Sequence, residues 1–340
     1  MTAVIYRYQE MMGSIVSHPM WRWIVVAVAC VATGAQAQKP ANLPNNYPSK
    51  LIRVTIASAP GGSLDISGRA ILAKLNERWG NVISENRPGN TIAFVYMSKA
   101  AADGYNLMVS ALSLFVGAEQ VIKVPYDIRA KFPPIAQFIT TPYIVVINND
   151  LPVGNVNELI AYARANPGKL NYGFSSLGGA PHLFGELLKA EHGADMQGIP
   201  FKGLANAYVE QIAGRINLTL GTATSAGPLI KAGKIKAIAV TSGMRTREMP
   251  DLPTVQESLP GFDPMAAWVG LFGVEGMSPA IINALNREVN DILQLPDVQR
   301  TLAADGSEVA PGTPEQFRKV IATSLSSTAR IIKLAGIKME

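Results

Sequence analysis

Two short strings in this chain carry residue types that hold an anion without a buried base. The first is PGGSLD, residues 60–65, and the second is SSLGG, residues 175–179. Each follows an apolar run that reads as a buried strand, at 51–56 and 170–174, and each leads into apolar residues at helical spacing. In the order strand, glycine turn, helix, a ligand sits beyond the carboxyl end of the strand. There it meets helix-start N–H groups that carry a partial positive charge. Gly61 and Gly62, and likewise Gly178 and Gly179, let a ligand approach the main chain closely. Pro60, Ser63 and Asp65 complete the first candidate wall, and Ser175 and Ser176 offer hydroxyl donors to the second. Asp65 can face a ligand amine, but a carboxylate in a first helical turn more readily orders its own loop. His182, one turn into the second helix, is a candidate contact or a structural hydrogen-bonding residue. Lys202 follows the apolar strand 198–201 and is either a ligand contact or a solvated cation beside the site. Gly203 and Gly221 stand at or just past two further strand ends, where a lining loop belongs. Trp268 and Phe272 read as core.

The elements that must position these residues alternate strand and helix, which predicts a parallel sheet with helices on both faces. The early strands fall at 52–57, 82–85 and 105–110, with helices from residue 63 to about Gly80 and over 92–102. Strands follow at 132–139 and 143–148; the second, YIVVIN, is apolar throughout and predicts a central, buried strand. The pattern then restarts. Asn155 and Glu158 form a capping box for a helix ending at Ala165, and Pro181 opens the helix after the second glycine turn. Strands at 198–201, 216–220, 235–241 and 267–274 lead to three terminal helices, starting near Ser278, Pro296 and Thr313, which are expected to pack on the first lobe. If the two glycine turns face each other, a small ligand is held between two helix starts, as in a two-lobed protein that closes on its ligand.

The chain has 340 residues, enough for two domains of ordinary size, with 48% hydrophobic and 16% charged residues. A formal net charge of +5 with scattered basic residues leaves no nucleic-acid footprint. The apolar stretch 23–31 after Arg22, with Ala35 and Ala37 behind it, reads as a secretory signal cleaved after Ala37. The stretch before it is long, and Met12 or Met20 are alternative starts. Cys30 is the only cysteine. The rival reading is a lipoprotein anchored through Cys30, but Ala27, Val28 and Ala29 lack the large aliphatic residue usual at the head of a lipobox. Either way the protein is exported to the periplasm without a disulfide. Catalytic constellations are missing. Gly173 to Leu177 lacks the second glycine of a nucleophile elbow, and after cleavage only His182 and His192 remain for a metal. The string 227–234 ends in Gly-Lys one residue too late for a P-loop, and Ile235 replaces its hydroxyl residue. The expectation is a binding protein with no cofactor.

Nine strings across residues 47–340, in order, are YPSKLIRV, PGGSLD, ENRPG, DGYNL, VPYD, NPGKLNYG, HLFGE, KAGKIKAIAVTS and DLPTVQESLPGF. By these the chain resembles the periplasmic solute receptors of tripartite tricarboxylate transporters, the Bug proteins. The resemblance implies an α/β, two-lobed, type II periplasmic-binding-protein (Venus flytrap) fold, each lobe a mixed, mostly parallel sheet flanked by helices. On that scheme residues 1–37 are the signal, 38–148 plus 244–340 the first lobe and 149–243 the second. It further implies a monomeric receptor that captures a small carboxylated metabolite, a dicarboxylate, tricarboxylate or related organic acid, and delivers it to membrane permease subunits. An extracytoplasmic sensor presenting its ligand to a signalling partner is the alternative. Three places depart from the family pattern. Asn90 leads straight into Thr91 without a longer glycine-rich run. The stretch Ser110, Ala111, Leu112, Ser113, Leu114, Phe115 is less polar than usual and implies a greasier pocket wall. Gly221 and Thr222 follow Leu220 where the family commonly carries Phe-Asp-Asn, which counts against an amino-group contact at 221.

Overall fold

The computed structural model describes residues 47–336 apart from 62, 89–91, 121–125, 176 and 304–305; the side chains of 63 and 117–120 are also outside the description. The expected signal segment, Cys30, the alternative starts and the Asn90–Thr91 junction therefore lie outside the described residues, as do Gly62 and Ser176. All described residues belong to one compact unit, Ala41–Glu340.

The chain forms two mixed sheets flanked by helices. The first contains β1 (Ile52–Ile56), β2 (Val82–Asn86), β3 (Asn106–Ala111), β4 (Pro134–Pro142), β10 (Ala266–Phe272) and β11 (Glu308–Val309), in the order β11-β4-β10-β3-β1-β2. The second contains β5 (Ile144–Ile147), β6 (Leu170–Phe174), β7 (Met196–Pro200), β8 (Leu218–Gly221) and β9 (Lys236–Val240), in the order β7-β6-β8-β5-β9. β1 is parallel to β2 and β3, and β6 is parallel to β7 and β8. Strands adjoining a passage between the sheets break the parallel pattern: β10 runs antiparallel to β3 and β4, and β5 antiparallel to β8 and β9.

Eight helices cover these sheets up to the crossover region: α1 (Ser63–Trp79), α2 (Ile92–Met97), α3 (Leu112–Gln120), α4 (Ile128–Lys131), α5 (Val156–Ala165), α6 (Ala180–His192), α7 (Leu204–Ile212) and α8 (Ala223–Lys231). Four more follow: α9 (Val255–Ser258), α10 (Pro279–Leu293), α11 (Pro296–Ala303) and α12 (Pro314–Leu334). Leu72, Leu75 and Val289 are buried on one side of the first sheet, and Phe94, Phe115, Trp268, Phe272 and Phe317 on the other. Ring centroids in the aromatic group lie 4.7–5.5 Å apart for Phe115–Phe272, Phe115–Trp268 and Trp268–Phe317, within stacking range.

Three expectations are revised. Ile144–Ile147, which a boundary at residue 148 assigns to the first lobe, pairs in the second sheet. An all-apolar strand reports burial on both faces and not which sheet holds it; here Val145 and Ile147 enter one cluster, and Ile144 and Val146 another. The chain thus passes between sheets at Tyr143. The helix expected over 92–102 closes at Met97 and continues only as turns. Finally, α10 and α11 pack on the first sheet, but α12 spans both lobes. Its Phe317, Ile321 and Leu325 join the aromatic group, whereas Ile331 enters the second lobe's core. Arg330 reaches Glu191 of α6 at 2.6 Å.

The crossover is tied at Thr241, which is fully buried. Its N–H donates to the Tyr143 carbonyl at 2.9 Å, its hydroxyl also bonds to the Met265 carbonyl, and Met265 N–H returns a bond to the Thr241 carbonyl at 2.9 Å. On β10 the α12 contact depends on a missing side chain. A Cβ on Gly270 would strike the Phe317 ring and lie 2.7 Å from the Ala136 carbonyl oxygen. Gly270→Ala should therefore lower the unfolding free energy by about 1–3 kcal/mol, read as a fall in the urea midpoint.

Candidate functional site

The sheet pairings gather the candidate residues into two groups, one per lobe. In the first lobe β1 lies beside β3, and Ala57 N–H bonds to the Val109 carbonyl at 3.1 Å, so residues 57–61 and 110–112 share one sheet end. In the second, Phe201 N–H bonds to the Phe174 carbonyl at 2.8 Å, which brings 175–179 beside 201–203; the end of β8 follows on the other side of β6. Among the described residues no hydrogen bond joins the two groups.

The first loop is held by Asp65. Its Oδ2 accepts the Gly61 N–H at 2.9 Å, and its Oδ1 accepts Arg69 Nε and Asn86 Nδ2, both at 2.8 Å. Burial works against the charge, but these donors outweigh it and hold the carboxyl below the usual range. Asn86, at the end of β2, also donates to the Ser58 carbonyl at 3.1 Å and so fixes both ends of the turn. Both oxygens of Asp65 are committed, and its role is to shape the loop. Gly61 sits exposed at φ 86°, a left-handed conformation that glycine adopts without strain. Pro60 is exposed beside it. Ser63 begins α1.

Ser110 lies elsewhere than on an open wall. It is fully buried opposite Gly270 on β10, and its hydroxyl has no hydrogen-bond partner. Ala111 ends β3 and Leu112 starts α3 at once. Phe115, expected to line a pocket, is instead buried in the aromatic group, because one helical turn from Leu112 carries it beneath the sheet.

In the second lobe Gly178 N–H donates to His182 Nδ1 at 3.0 Å, and the His182 ring lies against Phe174 with centroids 4.4 Å apart. His182 is thus a fastener for its loop, 7% exposed. Burial lowers its pKa, with Lys189 acting the same way and Glu186 opposing. Glu186 in turn accepts Tyr172 Oη at 2.6 Å and Lys189 Nζ at 2.7 Å. Gly179 is the N-cap of α6 and Gly203 that of α7, and neither helix start receives a side-chain capping bond. Space for a Cβ at Gly203 is open, and Lys202 beside it is exposed without an ion pair. Ser175 is exposed as well.

The third helix start is closed. Thr222 caps α8 through a reciprocal box with Ser225, the Thr222 N–H reaching Ser225 Oγ at 2.9 Å. Gly221 is covered: a Cβ there would strike the Tyr208 hydroxyl and lie 2.7 Å from Ala226 Cβ. Gly221 and Thr222, read from the sequence as lining residues, therefore serve packing and capping. The sequence pattern by itself assigns no site role to Tyr208 or Asn86. Asn86 had a signal, since it stands in the ENRPG string; Tyr208 had none, because its place over Gly221 comes from the helix–strand packing.

Comparison with known proteins decides what kind of site this is. Residues 69–337 match the family model described as tripartite tricarboxylate transporter family receptor. The chain belongs to that family. BugT of Bordetella pertussis is 30% identical over 324 residues, covering 93% of this chain and 97% of the relative. Rpa4515 of R. palustris, solved with adipate, is 29% identical with a TM-score of 0.63, covering 86% of this chain and 99% of that one. A TctC solute-binding protein from Polaromonas, solved with no ligand, is 25% identical with a TM-score of 0.77, covering 84% and 99%. This tripartite tricarboxylate transporter receptor is accordingly a periplasmic-binding-protein-type solute receptor and not an enzyme. Among the described residues no helix is long and apolar enough to cross a membrane.

The His182 fastener has a pH signature. Its folded-state pKa lies below the ordinary 6.5, so folding favours the neutral ring. That stabilisation is complete above about pH 6.5 and is lost as the pH falls through the lowered value. The melting-temperature advantage of wild type over His182→Asn should shrink between pH 7 and pH 5, with the wild type falling more steeply. Parallel curves would remove the Nδ1 acceptor role.

Proposed function

We propose that this receptor captures a small carboxylate in the periplasm, between its two lobes, and hands it to the permease subunits of a tripartite tricarboxylate transporter. The observation that carries the reading is the pair of neighbouring helix starts at Gly179 and Gly203, both without a side-chain cap and flanked by unpaired Lys202. Such N–H groups are matched by an anion. The ordered loop at Gly61, with Asp65 already satisfied, offers the opposing wall. The adipate in Rpa4515 supports a carboxylate as guest. On this reading Gly61, Ser175, Gly178, Gly179, Lys202 and Gly203 touch the ligand, and the lobe division falls at Tyr143 and again between Thr241 and Met265.

The lobes close on the ligand. Closure then draws the two loop groups together by differential affinity for the closed state.

Thermal shift against a panel of mono-, di- and tricarboxylates tests the reading. At one hundred times its dissociation constant a ligand should stabilise the fold by about 2.7 kcal/mol, a rise of a few degrees. Ser175→Glu, at an exposed position, should fold normally and lose the rise through charge repulsion. Unchanged binding by Ser175→Glu would take the second glycine turn out of the site. Small-angle scattering on wild type should report a smaller radius of gyration with the bound acid.

A further inference from the structure

We infer that α12 is a flexing strap between the lobes, and that its serine- and threonine-rich middle, residues 323–328, is where it yields when the lobes close. The inference rests on the closure in the carboxylate-receptor reading and adds the element that gives way for it.

The two halves of α12 are held by different lobes. In the first half Phe317, Ile321 and Leu325 are buried in the first lobe's aromatic group. The Phe317 ring occupies the place that a Gly270 side chain would take, which seats this half closely on β10. In the second half Ile331 is buried in the second lobe's core. Arg330 stands between Glu191 of α6, at 2.6 Å, and Asp263, at 3.1 Å. α6 begins after Gly179, so the helix that offers an open start to the ligand is fastened near its other end to α12. A change in the angle between the lobes is therefore absorbed along α12 or breaks one of its anchorages.

Between the anchorages the sequence places a weak stretch of helix. Residues 323–328 read TSLSST, five hydroxyl residues in six, and α12 has no other serine or threonine. Both types are poorer helix formers than Glu315, Gln316, Arg318 and Lys319 in the first half. Two of the hydroxyls bond back to the helix's own carbonyls: Ser324 Oγ to Val320 at 2.8 Å, and Ser326 Oγ to Thr323 at 3.0 Å. Such bonds compete with the main-chain ladder and favour bending. The handover between lobes falls within the same run. Ser324 Oγ accepts Trp268 Nε1 of the first lobe at 3.3 Å, and Ser327 Oγ donates to Asp263 in the crossover at 2.6 Å. Thr323 and Ser326 are exposed and belong to neither a core cluster nor a candidate wall. A soft turn between two buried halves lets each half stay with its own lobe while the angle changes.

The double variant Thr323→Ala with Ser326→Ala tests this, because it removes one back-bond and puts the best helix former at two exposed positions. It should keep the wild-type circular dichroism. Hydrogen exchange of the ligand-free protein should slow at least about threefold at the Ser327 amide, whose carbonyl partner at 323 is then no longer shared. Equal or faster exchange there removes the soft middle and overturns the inference. Calorimetric titration with succinate, adipate, malate and citrate then reads closure. The acid that wild type binds should bind the double variant at least about threefold more weakly, since alanine favours the straight helix by roughly a factor of two per residue. Ser326→Gly softens the same turn and should leave binding as tight as in wild type or tighter. Unchanged binding by the double variant, or weakening by both variants, overturns the inference and leaves the receptor reading intact. Heat from none of the four acids with wild type overturns the receptor reading and this inference with it.

Discussion

A helix that begins at glycine presents N–H groups that its own cap residue cannot satisfy. α6 and α7 both begin this way, at Gly179 and Gly203, on neighbouring strands of one sheet. The adjacent α8 shows the alternative, with Thr222 and Ser225 each accepting the other's main-chain N–H in a reciprocal cap. The contrast within one lobe makes the open starts informative. Had all three been uncapped, they would report only a glycine-rich sequence. Two open and one closed draw a boundary, and Lys202 lies on the open side of it.

Open donors are useful only if their geometry is kept, and the surrounding side chains are committed to that task. Asp65 fastens the first loop through Gly61 and Asn86, and His182 the second through Gly178. Each is a titratable group in a candidate site, yet each is committed within the protein: Asp65 to the Gly61 N–H and to the Arg69 and Asn86 side chains, His182 to the Gly178 N–H. A carboxylate receptor gains by this division of labour. On the proposed reading main-chain dipoles, whose strength does not change with pH, face the ligand beside Ser175 and Lys202, while Asp65 and His182 stand behind them.

The legible and illegible parts of this molecule differ in range. β1, β6 and the helices after them follow from local pattern: an apolar run, a glycine turn and helical spacing. Asn155 and Thr313 cap the helices that their sequences announce. The strand Ile144–Ile147 is equally plain as a strand, but its sheet is not, since the choice rests on pairing with β8 and β9, about seventy to a hundred positions later. The site divides in the same way. That Asp65 orders its loop could be read from its place in a first helical turn. That Gly221 is shielded by Tyr208, and that Phe115 is core rather than wall, depends on packing between elements distant in sequence.

α12 sets a constraint on closure that neither lobe sets by itself. Phe317, Ile321 and Leu325 are embedded with Trp268 and Phe272 in the first lobe, whereas Ile331 belongs to the second lobe's core and Arg330 binds Glu191 there. A rigid helix anchored at both ends cannot follow two lobes that rotate apart freely. The passages at Tyr143 and Thr241–Met265 are bound to one another through Thr241, so the lobes share three connections. Any relative motion is constrained by these connections, and Ser327 Oγ, donating to Asp263 Oδ2 at 2.6 Å, ties α12 to the segment between Thr241 and Met265 as well. The open helix starts of α6 and α7 lie away from the passages, on the β6 and β7 side of the second sheet, and β1 lies toward the far side of the first. A small rotation about the passages therefore displaces the two candidate walls, which is where a bound anion would feel it.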